Sequence, residues 1–145
     1  MELSDTANWL IMAGRVLFVV IFLLSGIGHL AMREQMSGYA KSKGVPAAGL
    51  AVVLTGLMLL ASAVGVLLGI WIDLAFLLAV IFLLPTAFMM HAYWKESDPM
   101  AKMGEQVNFN KNVSLAGGAL MLFALTASMG DTIAYTITGP LFNLN

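Results

Sequence analysis

Three charged residues stand in or beside long apolar runs, and any chemistry of this chain is first sought there. Arg15 lies inside one such run, while Asp73 and Asp131 lie at the edges of others. A charge within a membrane span is expensive and normally turns inward to find a partner. Arg15 with Asp73 is the first pairing to expect, with Asp131 second. Such a pair clamps the first helix to its neighbours, or else binds an anionic ligand or a quinone head group. The two histidines, His29 and His91, form the second candidate group, and Met89, Met90, Tyr93 and Trp94 stand around His91. Histidine titrates near neutral pH, which suits proton exchange at a quinone. The plainer alternative is an interfacial histidine bonded to backbone or connector. Haem or metal ligation is weaker still, because no carboxylate lies close in sequence. The chain has no cysteine, which removes disulfides, thiolate metal sites and thiol-relay chemistry. Ser25, Ser62 and Ser114 lack a local histidine or carboxylate to activate them. Met58, Met89, Met90, Met121 and Met129 fall in or at the ends of apolar helices and read as packing.

The elements that must position these residues are legible from hydropathy. Of 145 residues, 60% are hydrophobic and 10% charged, so one small water-soluble core cannot hide the apolar surface. The stretch from Trp71 to Trp94 carries no charge between Leu74 and Met90 and is flanked by aromatic residues. About 22 helical residues cross the roughly 30 Å of a bilayer's hydrocarbon core, and aromatic belts mark its two interfaces. Three further runs follow the same pattern. The chain therefore reads as all-α, a single membrane domain over 1–145, with helices at about 9–32, 48–69, 71–94 and 113–129 and a tail over 130–145. The N-terminal stretch is acidic and lacks the basic region of a signal peptide, so the first run is kept as a helix. Ser4, Asp5, Thr6 or Asn8 can cap it, and Asn110 or Asn112 can cap the fourth. Pro85 should kink the third helix and leave the Ile81 carbonyl without its usual donor. The ridge Ala61, Gly65, Gly69 and the pair Gly117–Gly118 are small-residue faces for close helix packing. Gly26-x-Gly28 is likewise a packing signal and not a nucleotide loop. No basic nucleic-acid stripe is present, so no nucleic-acid partner is expected.

Charge placement gives a topology. Arg33, Lys41 and Lys43 lie between helices one and two, and Lys95, Lys102 and Lys111 lie between three and four. The positive-inside rule puts both long connectors in the cytoplasm and both termini outside. The connector lysines read as solvated and near anionic lipid head groups. The tail, uncharged after Asp131, is suited to an interface or to a partner.

Four segments in order resemble the DoxX family of small four-helix bacterial membrane proteins. They are RVLFVVIFLLSGIGHL (Arg15 to Leu30), YAKSKGVP (Tyr39 to Pro46), HAYW (His91 to Trp94) and FNKNVSLAGGALML (Phe109 to Leu122). The resemblance implies a bacterial plasma-membrane protein, and what it implies of function is broad: some members are similar to the membrane subunit of a thiosulfate:quinone oxidoreductase, and many have no assigned activity. It also implies, as for other members, a membrane partner in assemblies with a superoxide dismutase and a sulfurtransferase that handle oxidative stress. The positions matching the family pattern are Arg15, Ser25, Gly26, Gly44, Pro46, His91, Trp94, Lys111, Asn112, Gly117 and Gly118. His29 stands where a lysine is expected, and supplies a positive charge only when protonated.

The expectation is a membrane subunit of a redox-linked complex, with a quinone site near His91, Tyr93, Trp94 and His29. No cofactor is certain from the residues; a quinone is the one their chemistry suits, and no metal site is expected. Any catalysis is that of a quinone-linked oxidoreductase and needs a protein partner. The rival reading is a non-catalytic scaffold or accessory subunit, packing on a larger membrane complex or on a second copy. A small-solute or proton transporter is weaker, because four short helices with one central charge leave little room for a pathway.

Overall fold

The computed structural model describes residues 3–144, so the first two residues and the last one, included in the single-domain reading, lie outside the description. The described residues form five α-helices: α1 (Asp5–Ala31), α2 (Arg33–Ser42), α3 (Ala48–Leu68), α4 (Ile72–Met90) and α5 (Pro99–Met129). Four of them, α1, α3, α4 and α5, are long and apolar enough to cross a bilayer. They pack as α1 on α3, α3 on α4 and α4 on α5. Two ends can be named from the chain itself: a connector end, carrying α2 and residues 91–98, and a tail end, carrying the α3–α4 turn and residues 130–144.

Local sequence explains each boundary. The Ser4 side chain accepts from the Ala7 amide and caps α1, with Asp5 in the first turn where the helix dipole favours an acid. Gly44 (φ 82°) and Pro46 stop α2. Gly69 (φ 65°) closes α3 in the left-handed conformation that a side chain rarely adopts. Ten residues of the first connector thus form α2 rather than an irregular link.

Two boundaries differ from the sequence expectation. α4 ends at Met90 and not at Trp94: His91 leaves helical geometry, and Tyr93–Lys95 turn as a short 3₁₀ helix. The fourth span begins at Pro99, fourteen residues before 113, so Asn110 and Asn112 lie inside it and cap nothing. Asp98 is the cap, accepting from the Ala101 amide at 2.8 Å, and Pro99 fills the first helical position. At a 1.5 Å rise the 31-residue α5 is about 46 Å long, well beyond roughly 30 Å of hydrocarbon, and its polar first turns are the excess.

Small residues set the packing. Ala63, Ala79, Ala87 and Ala119 are fully buried, as helix association in lipid favours close backbone approach. Gly65 serves this purpose at the α3–α4 contact, where an added Cβ would lie 2.7 Å from that of Ala75. Ser62 donates to the Ala75 carbonyl beside it at 2.7 Å. The tightest α1–α3 approach uses Gly26 against Leu60 and Gly56 against His29. The remaining small residues expected to pack make no close helix contact within this chain. Ala61 is exposed, Gly69 meets Thr136 of the tail, and Gly117 and Gly118 have open space where a Cβ would be. On α5 it is Ala116 and Ala119 that pack against the bundle.

Candidate functional site

The charges at the tail end are built from backbone outward. Arg15 is only 3% exposed, and its guanidinium donates from Nε to the Val66 carbonyl (2.6 Å), from Nη2 to Leu67 (2.7 Å) and from Nη1 to Tyr135 (3.0 Å). Val66 and Leu67 belong to the last turn of α3, whose carbonyls lack intrahelical donors and carry the negative end of the helix dipole. Asp73 is fully buried in the first turn of α4 and accepts from the amides of Leu141 (3.0 Å) and Phe142 (2.6 Å). The expected Arg15–Asp73 pair is therefore corrected. Arg15 makes no ion pair among the described residues, and each charge is satisfied by backbone. Asp131, the second expected partner, is exposed in the 3₁₀ turn after α5, beside Gly139. The physical reason is the tail. It folds back over the bundle's own end, with the Ile137 and Thr138 amides bonded to the Gly69 carbonyl and Thr138 Oγ1 accepting from the Trp71 amide.

At the connector end the helices leave a cavity of about 440 Å³, of the size that takes a small molecule. α1 contributes Ser25 and His29, α4 contributes Ile81, Pro85 and Thr86, and α5 contributes Lys111 and Asn112. His91, at the end of α4, completes the polar rim, and the rest is largely apolar. The two histidines thus share one cavity. Tyr93 and Trp94 do not line it; they form an aromatic cluster with Phe88 and Phe109, with ring centroids 5.1 to 6.3 Å apart. That separation follows from the break in α4 at His91, which turns the next residues onto the face of α5.

Both imidazoles are oriented through Nδ1. His29 donates to the Ser25 carbonyl at 2.7 Å, since a carbonyl only accepts, and its ring stands edge-on to Phe82. His91 donates to Oε2 of the ionised Glu105 at 2.7 Å. Nε2 is in each case the nitrogen with no protein partner among the described residues. Glu105 also accepts from Tyr39 Oη (3.2 Å) and faces Lys43 Nζ at 3.6 Å, while Lys43 donates to Glu96 at 2.8 Å. The hydrogen bond to Glu96 raises the Lys43 pKa above the ordinary lysine value. Burial, seconded by the charge of Glu105, raises that of the Tyr39 phenol. Lys43 is thus not simply solvated but tied into this network, while Lys111 is exposed at the edge of the cavity and donates to Asn108 at 3.2 Å. Sequence reasoning missed Glu105, because fourteen residues separate it from His91; the signal was an acid in the second turn of a helix starting at Asp98-Pro99. Among the described residues no three His, Cys, Asp or Glu side chains gather as metal ligands would.

A four-span bundle with a capped end and a histidine-rimmed cavity at the other is a small polytopic membrane protein. The DoxX family model matches residues 10–92, and the chain belongs to the DoxX family. It is 31% identical over 117 residues to the inner membrane protein YphA of Escherichia coli (strain K12), covering 81% of this chain and 82% of that protein. This chain is likewise a multi-pass protein of the inner (plasma) membrane. No solved structure matches it.

Proposed function

We propose that the protein is a membrane subunit of a redox-linked complex, and that its connector-end cavity holds a quinone. The observation that carries this reading is the shared cavity of His29 and His91, each with Nδ1 engaged and Nε2 unspent. The donor set fits the group. A quinone ring is apolar on its faces and carries acceptor oxygens at its edge, and the cavity offers apolar walls, the Lys111 ammonium as a donor, and two imidazole Nε2 atoms that donate when their ring is protonated and accept from a quinol hydroxyl when it is neutral. A bound quinone supplies two-electron, two-proton redox chemistry. His91 holds or moves a proton at Nε2, and Glu105 fixes the ring that does so. Tyr39, Lys43 and Glu96 connect that carboxylate to the outer surface of the connector end. By the positive-inside rule this end faces the cytoplasm.

The test is binding of short-chain ubiquinone to the purified chain in nanodiscs, followed by tryptophan quenching. Saturable quenching is expected, with affinity reduced at least tenfold in His91→Ala. Absence of saturable binding, together with unchanged quinone reduction in membranes lacking the protein, would sink the reading.

A second reading, a scaffold for a redox enzyme or a larger membrane complex, is favoured by one feature. Gly117 and Gly118 lie on α5 with no neighbour within 4 Å of an added Cβ, an unoccupied close-packing face. Gly117→Leu should then abolish co-purification of a partner while leaving quinone binding intact.

A further inference from the structure

Within the spans, hydroxyl groups are normally satisfied by backbone, because hydrocarbon offers them no other acceptor. Thr55 donates to Ala51, Thr126 to Leu122 and Ser62 to Ala75, all at 2.7 to 2.8 Å. Ser25, Thr86 and Asn112 depart from this rule: like the exposed Ser114 they make no side-chain hydrogen bond among the described residues, but unlike it they all line the same cavity.

Asn112 is the most informative. It is 6% exposed and continues the buried stripe of Ala116 and Ala119 along α5, where an apolar residue would pack best. Its amide atoms have no protein partner among the described residues and keep access to the cavity, so they are available to a bound molecule. Thr86 adds a hydroxyl beside Pro85, the residue that cannot give an N–H to the Ile81 carbonyl. Unspent polar groups so placed are what a ligand's polar atoms would satisfy.

The cavity also has a side. Ile81, Pro85 and Met89 recur every four residues on one face of α4, line the cavity and are exposed. Ile81 lies in the middle of α4 and is 50% exposed, so this face meets the hydrocarbon and not only the polar connector end.

We propose that Asn112, with Thr86 and Ser25, is the head-group anchor of the cavity. It holds the acceptor oxygens of an amphipathic ligand whose apolar chain leaves past Ile81 and Met89 into the bilayer. The ligand's class rests on the quinone reading above; the anchor itself does not. Asn112 binds and orients the head, while His91 stands at the polar rim.

The experiment is thermal unfolding of the full chain in detergent, with and without two probes, short-chain ubiquinone and palmitate. The variants are Asn112→Leu and Thr86→Val, each close in shape to the native side chain but without its polar group. An anchor evolved for a ligand gives variants that melt no lower than the wild type without probe. Those variants also lose at least two-thirds of the probe-induced rise in melting temperature. Loss of a palmitate response in a protein that ignores ubiquinone keeps the anchor and removes the quinone. A ubiquinone response equal in wild type and variants keeps the quinone and overturns the anchor. The anchor is likewise overturned if neither probe shifts the wild type, or if both variants melt lower without probe.

Discussion

At the scale of single residues, the two charges at the tail end show how a buried ion is stabilised without a counter-ion. Arg15 spreads its charge over three carbonyls, and Asp73 takes two amides. Charge-assisted bonds to backbone of this kind are stronger than neutral ones. Both side chains hold the tail, Arg15 at Tyr135 and Asp73 at Leu141 and Phe142, so their effects reach the same segment from different helices. Asp73→Asn places an amide donor against two backbone donors. It should cost about 1–3 kcal/mol and speed hydrogen exchange at Leu141 and Phe142, while Tyr135 stays held. Exchange resolved at those amides decides between this arrangement and an Arg15–Asp73 pair, which would loosen Arg15 first. The sequence showed that these residues needed partners, because charges in apolar runs stand out. It could not show that the partners were main-chain groups, since every residue carries the same ones. Nor could it show that His29 and His91 share one cavity, which depends on where α4 breaks.

At the scale of elements, spans were legible wherever apolar runs reached membrane length, as α3 shows by starting at Ala48 and ending one residue before the expected Gly69. α5 was not, because in its first fourteen residues polar side chains interrupt every apolar run and a search for apolar length passes over them. The Asp98-Pro99 start signal was present but carries weight only once a helix is suspected. Glycines misled for a related reason: a small-residue ridge marks a face able to pack closely, not the partner that comes to it. Gly56, outside both ridges, makes one of the tight approaches between α1 and α3, with an added Cβ only 2.8 Å from that of His29. Gly56→Ala should therefore destabilise the chain by about 1–3 kcal/mol through overpacking against a backbone-anchored atom. Gly118→Ala, in open space, should be neutral or stabilise by up to about 1 kcal/mol through helix propensity. Denaturation of both variants in the same detergent provides the comparison, and equal losses would mean that the α1–α3 approach is looser than described.

At the scale of the whole molecule, the two ends are built for opposite purposes. α3 and α4 are locked together at the tail end by Gly65, Ala75 and Ser62, whereas their other halves border the cavity. A bundle that leaves an open cavity at one end needs a firm closure elsewhere, and the tail supplies it by pairing Gly69, Trp71, Asp73 and Arg15. Ile133, buried at the start of the tail, adds apolar contact. A chain stopped after Thr132 leaves Asp73 with no amide donors and Arg15 with one carbonyl fewer. Stripping partners from a buried charge costs about 3–5 kcal/mol, a large part of the stability of a small domain. The truncated protein should consequently melt well below the full chain, with its loss first visible as hydrogen exchange in the α3–α4 turn rather than around His91. His91→Ala, at the far end, should leave that turn protected. If truncation instead loosened both ends equally, closure would be a property of the four spans alone, and the tail would only cover what they already hold.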